Sequence, residues 1–483
     1  MEHSILKADL KKSFDLKTLA HDAKFHFIAL GGIGMSALAR ILLEAGYKIS
    51  GSDLTKNHLM EYFEQQNADI FVGHSDKNLI DCAVVVKSSA IKLNNPELQK
   101  ALELNIPVLH RAELLNALMR GLNQIAIGVT GTHGKTTTTG MITTIFYEMG
   151  LDPSFAIGGE IPQLKTNSAF GKGGYFISEL DESDGTIELY SPDISVITNL
   201  ELEHTDHYRN GFDQLLDTMA RFVKNISDNA KTIINIDDAG NLKLIDKVNS
   251  GNFITYSLED QSADYFAEVV EPAPNAKMKV YKKAQCLGEI TLGIPGVHNL
   301  SDALAATAVC LEKELDFNGI SNALSKFTGM KKRFQTVGFA KEARIIDDYA
   351  HHPTEIKATV KTARQVVDLS KNDKGNLIAV FQPHRYTRFE KFWGEFLKSF
   401  DEADIVYVCD VYSAEEAPLE NINSEEFAKQ LQHKCAYYIK GDMDKVADTL
   451  INAIKPNDLV LTMGAGNITK LGPIIVNKIN GNN

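Results

Sequence analysis

The segment Gly131-Thr-His-Gly134-Lys135-Thr136-Thr137 constrains the fold more than any other part of this chain. It follows the apolar run Gln124–Val129, which predicts a strand, and leads into Lys135–Met149, which predicts a helix. Glycines let backbone N–H groups surround phosphate oxygens, and a helix N-terminus adds positive charge. The pattern is a shortened Walker motif, with Val129 where that motif has glycine. It predicts a phosphate loop rather than a glycine- and threonine-rich turn with an incidental lysine.

Strand and helix patterns alternate along the whole chain, which is typical of parallel α/β domains. The length of 483 residues suggests about three domains, and the pattern changes near positions 122 and 327. The sequence therefore predicts a three-domain α/β fold. We expect a Rossmann-like domain at 1–122, a central P-loop ATPase-type α/β domain at 123–326 and a second Rossmann-like α/β domain at 327–483.

Two apolar stripes in the third segment are interpreted as core rather than as cofactor contacts. The first contains Ile356, Val360, Ala363 and Val367, and the second contains Phe389, Phe392, Trp393, Phe396, Leu397 and Phe400.

The composition limits the function classes. The formal net charge of −13 argues against a nucleic-acid binder that depends on overall charge. Five scattered cysteines without CxxC spacing argue against a disulfide framework or a cysteine-based zinc site. No apolar run approaches the length of a membrane span, and no signal pattern precedes the first strand. We expect a soluble cytoplasmic protein without membrane insertion, and the oligomeric state stays open.

Polar side chains follow two further predicted strands of the central segment. Glu179 ends the strand Tyr175–Leu180, and a carboxylate there suits Mg²⁺, which prefers oxygen ligands. The acids that follow, at 181, 182 and 184, fit a solvated helix start equally well. After the strand Asp193–Asn199 comes His204, which is either a site residue or a structural histidine.

Glycine-rich and basic loops stand at strand ends in the other two segments. Gly31, Gly32 and Gly34 resemble a dinucleotide fingerprint with Ala29 in place of its first glycine, and Asp53 has the spacing of a ribose-binding acid. Near the C-terminus, the runs 347–353 and 382–388 both follow predicted strands, and the second contains Arg385 and Arg388. Two arginines three positions apart can clamp a carboxylate or a phosphate.

The motifs occur in one order along the chain: the phosphate loop, ELDESD from Glu179, NLELEHTDHY from Asn199, HN at 298–299, DDYAHHPTE from Asp347 and FQPHRYTR from Phe381. Together they resemble the Mur ligases over nearly the whole length. The resemblance implies a UDP-sugar domain, an ATPase domain and a C-terminal domain that closes over ATP and an amino acid. It also implies ATP and Mg²⁺ as cofactors, and an amide bond formed between UDP-N-acetylmuramate and L-alanine through an acyl phosphate.

Site residues carried over from the family's motifs fall into five groups. The resemblance implies UDP-sugar contacts at Gly31, Gly32, Gly34, Asp53 and Ser88, and ATP contacts at Gly131, Thr132, His133, Gly134, Lys135, Thr136, Thr137, Asn299, Arg333 and Asp347. It implies amino-acid contacts at Tyr349, His351, Arg385 and Arg388, and metal ligands at Thr136, Glu179 and His204. The implied catalytic residues are Lys135, His204 and His351, the last as a candidate base.

Three alternatives stay open at this point. Ala350 stands where the family usually has glycine, which slightly favours a relative that joins murein tripeptide to the same UDP-sugar in cell-wall recycling. The DES triplet from Asp181 and the FQPHRYTR stretch are more similar to the alanine-adding members. A nicotinamide-dependent oxidoreductase would explain the N-terminal glycines but not the phosphate loop. A non-catalytic nucleotide switch would explain the phosphate loop but not the paired arginines.

Overall fold

The described residues form three sheets, one for each predicted domain. The computed structural model describes residues 14–203, 207–249, 251–369, 375–431 and 435–481. Its sheets have five, ten and six strands, and parallel pairs predominate in each. The predicted α/β fold with three domains is confirmed.

The first sheet is fully parallel, in the order β3-β2-β1-β4-β5. Its strands are β1 Lys24–Ile28, β2 Lys48–Asp53, β3 Asp69–Val72, β4 Val84–Lys87 and β5 Val108–His110, and its helices are α1 Ile33–Glu44, α2 His58–Gln65, α3 Pro96–Glu103 and α4 Arg111–Gly121. The strand order reverses between β1 and β4. Open α/β sheets bind ligands at such a point, beyond the carboxyl ends of the strands.

The second sheet has the order β15-β14-β13-β12-β11-β10-β6-β9-β7-β8. Its strands are β6 Ile125–Thr130, β7 Ser154–Ile161, β8 Thr166–Ala169, β9 Tyr175–Glu179, β10 Ile194–Ile197, β11 Lys231–Asn235, β12 Phe253–Ser257, β13 Tyr265–Glu271, β14 Lys277–Lys282 and β15 Gln285–Thr291. The helices are α5 Lys135–Glu148, α6 Phe212–Asn225, α7 Ala239–Val248, α8 Val297–Glu312 and α9 Phe317–Ser325. β6 lies between β9 and β10, so the loops that follow these three strands share one edge.

The third sheet has the order β16-β17-β21-β18-β19-β20. Its strands are β16 Gln335–Ala340, β17 Ala343–Asp348, β18 Leu377–Phe381, β19 Ile405–Cys409, β20 Ala436–Ile439 and β21 Leu459–Met463. The helices are α10 Pro353–Asp368, α11 Tyr386–Lys391, α12 Trp393–Phe396, α13 Ser424–Gln430, α14 Met443–Ala453 and α15 Leu471–Asn480. Only β16 pairs antiparallel among the described strands of this sheet.

Helices cover both faces of the third sheet, so its strands are apolar on both sides. All of β18 is buried. The predicted apolar stripe on α10 packs against one face, as expected. The aromatic stripe also belongs to the core there, but it lies on two short helices, because the helix is interrupted at Phe392. Phe389, Phe396 and Phe400 surround Phe381, with ring centroids 5.4–6.5 Å away.

Contacts between residues divide the chain into two compact units. Unit 1 runs through Glu268 and also includes Val280–Gly288 and Ser301–Leu324. Unit 2 includes Val269–Lys279, Glu289–Leu300 and the chain from Ser325 onward. The first sheet lies in unit 1 and the third in unit 2, while the exact boundaries at 122 and 327 stay predictions. Among the described helices, none is long and apolar enough to cross a membrane.

A buried carboxylate organises the carboxyl edge of the first sheet. The side chain of Glu97 is fully buried at the start of α3. It accepts hydrogen bonds from Ser52 Oγ at 2.7 Å and Asn78 Nδ2 at 2.5 Å, and it lies near His26 and His74. Burial raises the pKa of Glu97, but the hydrogen bonds from His26, Ser52 and Asn78 outweigh burial and lower it overall.

We predict that Glu97→Gln reduces stability at pH 7 by about 1–3 kcal/mol, because an amide donor replaces one of these acceptors. Since the folded-state pKa is lowered, the ionised carboxylate stabilises the fold above the unfolded-state pKa. That contribution is lost as pH falls through the folded-state pKa. Urea unfolding at pH 7 and pH 3 should therefore give a smaller difference between wild type and variant at the lower pH.

The matched control is Glu103→Gln on the same helix, where Glu103 makes an exposed pair with Lys100. We expect that variant to stay within about 0.5 kcal/mol of wild type. Equal effects of the two variants would contradict a stabilising role for the buried carboxylate.

Candidate functional site

The segment between β6 and α5 forms the predicted phosphate loop. Gly131 has φ of +127° and Gly134 has φ of +82°, values that favour glycine. A Cβ on Gly134 would lie 2.6 Å from Asp302 Oδ1, and a Cβ on Gly131 would overlap Thr198 Oγ1. The loop therefore requires both glycines. It continues directly into the N-terminus of α5.

Asn199, which follows β10, holds this loop in place. Its carbonyl oxygen accepts from the Thr132 N–H at 2.9 Å, and its Oδ1 accepts from the His133 N–H at 2.9 Å. Its Nδ2 donates to the His133 carbonyl at 3.0 Å. The sequence placed Asn199 in a motif but assigned it no role. Its position at the end of a strand beside β6 is the signal that could have revealed one.

Lys135 is the first residue of α5, and its ammonium is enclosed by acceptors. Nζ donates to the Gly131 carbonyl at 2.5 Å and to the Thr132 carbonyl at 3.1 Å. It also lies 2.9 Å from a carboxylate oxygen of Glu182, whose side chain is only 2% exposed. Burial lowers the pKa of Lys135, but Glu182, Glu179 and Asp181 outweigh it and raise the pKa. The lysine is therefore charged, as contact with phosphates requires.

Thr136 and Glu179 bring two oxygen ligands together beside the loop. The Thr136 hydroxyl donates to Glu179 Oε2 at 2.9 Å, and the Gly158 N–H donates to the same oxygen at 3.0 Å. A hydroxyl and a carboxylate at this distance are the donor types that Mg²⁺ prefers. These two residues therefore fit a divalent cation. His204, the third predicted ligand, lies outside the described residues.

The N-terminal glycine loop connects β1 to α1. The first strand ends at Ile28, within the apolar run Phe25–Leu30, because Ala29 has φ of +67°. Asp53 Oδ2 accepts from the Gly31 N–H at 3.0 Å, and Asn57 Nδ2 donates to the Gly31 carbonyl at 3.0 Å. Asp53 thus shapes the loop itself, and its predicted contact with a ribose stays a prediction.

No side chain caps the N-terminus of α1, where Gly32 is the N-cap. Backbone N–H groups at such an end can bind an anion. Gly34 stands in the first turn, and Ser88 follows β4, the neighbour of β1. The predicted UDP-sugar residues therefore gather at one edge of the first sheet.

The predicted amino-acid residues gather at the carboxyl edge of the third sheet. Tyr349 and His351 follow β17, while Arg385 and Arg388 follow β18, and β21 separates these strands. The two loops still meet across β21, since the rings of His351 and His384 are 6.2 Å apart. His351 is oriented by its Nδ1, which lies 2.9 Å from the Tyr349 carbonyl.

His384 is a site residue to which the sequence analysis assigned no role. Burial, assisted by Arg388, His351 and Arg385, lowers the pKa of His384 to about 4. A neutral imidazole can accept a hydrogen bond, and His384 Nδ1 lies 3.2 Å from Arg388 Nη1. Its ring also stacks on Tyr412 at 5.5 Å. Its position between Pro383 and Arg385 in the FQPHRYTR motif is the sequence signal for it.

The backbone is strained where the arginines begin. Arg385 has φ of +68° and ψ of 132°, a conformation that side-chain-bearing residues rarely adopt. Its N–H donates to the Tyr412 carbonyl at 2.9 Å, which holds the turn. Strained residues cluster at functional sites, which favours a role for this turn in binding.

The three residues predicted to hold the nucleoside lie in unit 2 and have structural partners there. Asn299 Nδ2 donates to the Pro295 carbonyl at 2.6 Å. Arg333 lies over the Tyr349 ring at 5.5 Å. The carboxylate of Asp347 accepts from the hydroxyls of Thr462 and Thr469, at 2.7 and 2.8 Å. Their contacts with ATP stay predictions.

A phosphate loop with a lysine, an oxygen pair suited to a metal ion and a cluster of arginines and histidines at the end of a strand define a nucleotide-binding α/β enzyme. Three family models match the chain in the same order: the Mur ligase family catalytic domain at residues 24–122, the Mur ligase middle domain at 129–310 and the Mur ligase glutamate ligase domain at 332–466. The chain belongs to the Mur ligase family.

Curated relatives match over almost the whole length. The UDP-N-acetylmuramate–L-alanine ligase of Geotalea uraniireducens (strain Rf4) is 40% identical, with 95% of this chain and 98% of the relative covered. The ligase of the same name from Rickettsia felis (strain ATCC VR-1525 / URRWXCal2) is 37% identical, with 92% and 94% covered.

Solved structures also match. The UDP-N-acetylmuramate–alanine ligase of Thermotoga maritima superimposes with a TM-score of 0.80 at 27% identity, covering 95% of this chain and 100% of the other. A murein peptide ligase from Psychrobacter arcticus 273-4 gives a TM-score of 0.67 at 21% identity, covering 95% and 99%, a likeness of fold alone.

We predict that Ala29→Gly stabilises the protein by about 1 kcal/mol, because glycine adopts the left-handed conformation of Ala29 without steric strain. Urea unfolding measures the change. Ala37→Gly, in the middle of α1, is the matched control and should destabilise by about 1 kcal/mol. Destabilisation by both variants would show that residue 29 is unstrained.

Proposed function

We propose that this protein is an ATP-dependent carboxylate–amine ligase of peptidoglycan precursor synthesis. It joins L-alanine to the lactyl carboxylate of UDP-N-acetylmuramate and releases ADP and phosphate. Curated relatives of that name, 36–40% identical over most of the chain, support the substrates. The observation that carries the proposal is the phosphate loop, where Lys135 and the Thr136–Glu179 pair lie at one sheet edge.

The first step is phosphoryl transfer. A lactyl carboxylate oxygen bonds to the γ-phosphorus of ATP while the bond to the bridging oxygen breaks, which gives an acyl phosphate and ADP. Lys135 stabilises the charge on the transferred group, and the loop N–H groups orient it. Thr136 and Glu179 would hold Mg²⁺, which supplies further charge neutralisation when bound.

The second step forms the amide. The neutral amine of L-alanine attacks the acyl carbonyl carbon, and phosphate leaves with the electron pair of the C–O bond. Arg385 and Arg388 hold the alanine carboxylate, because a guanidinium fork matches two carboxylate oxygens. The amine loses one proton in this step, and we assign its acceptance to His351.

The proposed setting follows from these substrates. ATP and nucleotide-activated sugars are cytoplasmic metabolites, so we place the reaction in the cytoplasm. The net charge of −13 supports small-molecule partners and no nucleic acid.

Phosphate release tests the proposal. Purified protein is incubated with ATP, Mg²⁺ and UDP-N-acetylmuramate, and then with L-alanine, glycine, L-serine or the tripeptide L-alanyl-γ-D-glutamyl-meso-diaminopimelate. We expect sustained release with L-alanine, and little without an amine acceptor. Release that favours the tripeptide would instead assign the protein to cell-wall recycling.

We predict that Glu179→Gln raises the Mg²⁺ concentration needed for half-maximal turnover, because an amide is a poorer ligand for a hard cation. Glu188→Gln is the matched control, since Glu188 makes a partly exposed ion pair with Arg221 at 2.8 Å. A Mg²⁺ titration of phosphate release measures both variants. An unchanged Mg²⁺ requirement in Glu179→Gln would exclude Glu179 as a ligand.

We predict that Arg388→Lys raises KM for L-alanine at least tenfold, consistent with losing a charge-assisted hydrogen bond of roughly 1.5–3 kcal/mol. KM for ATP should change less than twofold. Arg364→Lys is the control, since Arg364 pairs with Asp404 at 2.6 Å on the surface of the same unit. Steady-state kinetics in which KM for ATP rises and KM for alanine does not would place Arg388 at the nucleotide instead.

A further inference from the structure

Arg111, the first residue of α4, touches two loops of unit 1 that the mechanism treats separately. Its Nη2 donates a short hydrogen bond to Asp181 in the loop after β9. Its Nη1 lies 3.8 Å from where a Cβ on Gly34 would stand, in the first turn of α1. One guanidinium therefore reaches both the acidic loop and the uncapped helix end of the glycine loop.

The acidic loop connects Arg111 to the phosphate loop. Asp181 is followed directly by Glu182, the buried carboxylate that holds the ammonium of Lys135 at 2.9 Å. The Tyr208 hydroxyl donates to the Glu182 carbonyl, and the Asp181 carboxylate accepts from the Ser183 N–H at 3.0 Å. These bonds hold Asp181 and Glu182 in one short, ordered segment. A shift of Asp181 would therefore also move Glu182.

A second contact joins the same two parts of unit 1. Ser89 Oγ donates to Asp184 Oδ2 at 2.7 Å and lies 2.9 Å from His110 Nε2. Burial lowers the pKa of His110 to about 4, so this imidazole is neutral and does not compete with Arg111 for the acids. Among the described contacts, Arg111 is therefore the cation that pairs with Asp181 from the side of the first sheet and its helices.

We propose that Arg111 is a positioning residue that binds the diphosphate of the UDP-sugar and, through Asp181 and Glu182, sets the position of Lys135. The inference rests on the proposed function, because it takes the glycine loop as the diphosphate site. A phosphate at the N-terminus of α1 meets Nη1, while Nη2 keeps its bond to Asp181. A guanidinium suits both tasks because its N–H groups diverge in one plane.

Two single variants separate these tasks. Arg111→Lys keeps the charge but cannot bond in both directions, so we expect KM for UDP-N-acetylmuramate to rise and kcat to fall, each about tenfold. Asp181→Asn leaves the guanidinium in place, so we expect a similar loss of kcat with KM for the UDP-sugar within twofold. KM for L-alanine should stay constant in both variants.

The double variant tests whether the two residues act as a unit. If they do, the two losses of kcat should not multiply. The kcat of Arg111→Lys/Asp181→Asn should then lie within about twofold of the kcat of the worse single variant. Arg221→Lys is the control, because its partly exposed ion pair with Glu188 in unit 1 has the same chemistry. Thermal unfolding of every variant checks that the fold is retained.

The outcomes distinguish this inference from the proposed function. If the wild-type protein releases no phosphate with UDP-N-acetylmuramate and L-alanine, the inference and the proposed function are both overturned. If the wild-type protein turns over but the losses of kcat multiply in the double variant, only the role of Arg111 is overturned. The same holds if Arg111→Lys changes KM for UDP-N-acetylmuramate and leaves kcat unchanged. If Asp181→Asn does not fold, Asp181→Glu replaces it in the test. Because this variant keeps a carboxylate, it should retain part of the wild-type kcat.

Discussion

The partly buried ammonium of Lys135 is the constraint on which the central site depends. A charge removed from water is strongly destabilising unless a partner of opposite charge and hydrogen-bond acceptors surround it. Here Glu182 and two loop carbonyls supply them. The arrangement requires β6 and β9 to be neighbours, because Lys135 follows the first strand and Glu182 follows the second. At this sheet edge, the ion pair between Lys135 and Glu182 therefore depends on the order of the parallel strands and on the glycine conformations of the loop.

Much of the fold could be predicted because parallel strands buried on both faces leave a plain sequence signal. β18 is apolar throughout, and the apolar run Leu377–Phe381 coincides with the strand. The antiparallel β16–β17 hairpin was not predicted. Its turn places Lys341 and Glu342 at φ of +50° and +65°, a conformation usually marked by asparagine and glycine. Without those residues, local sequence carries no sign of the turn.

Site residues were predicted where chemistry follows a strand end, and missed where the partner lies far along the chain. Thr136 and Glu179 belong to separate motifs, yet sheet order brings them into contact. The acids at 181, 182 and 184 were equally consistent with a solvated helix start. The structure instead buries Glu182 and pairs Asp181 with Arg111, seventy positions earlier. Sequence spacing cannot report such contacts, because they depend on the packing of the first sheet against the second.

In the proposed mechanism, the loop around Lys135 transfers the γ-phosphoryl group of ATP to the lactyl carboxylate. Isotope transfer tests it most directly. UDP-N-acetylmuramate labelled with ¹⁸O in both lactyl carboxylate oxygens is converted with ATP, Mg²⁺ and L-alanine, and the released phosphate is analysed by mass spectrometry. One ¹⁸O atom in each phosphate is the predicted result, because the attacking oxygen leaves with phosphorus. Unlabelled phosphate would contradict the claim.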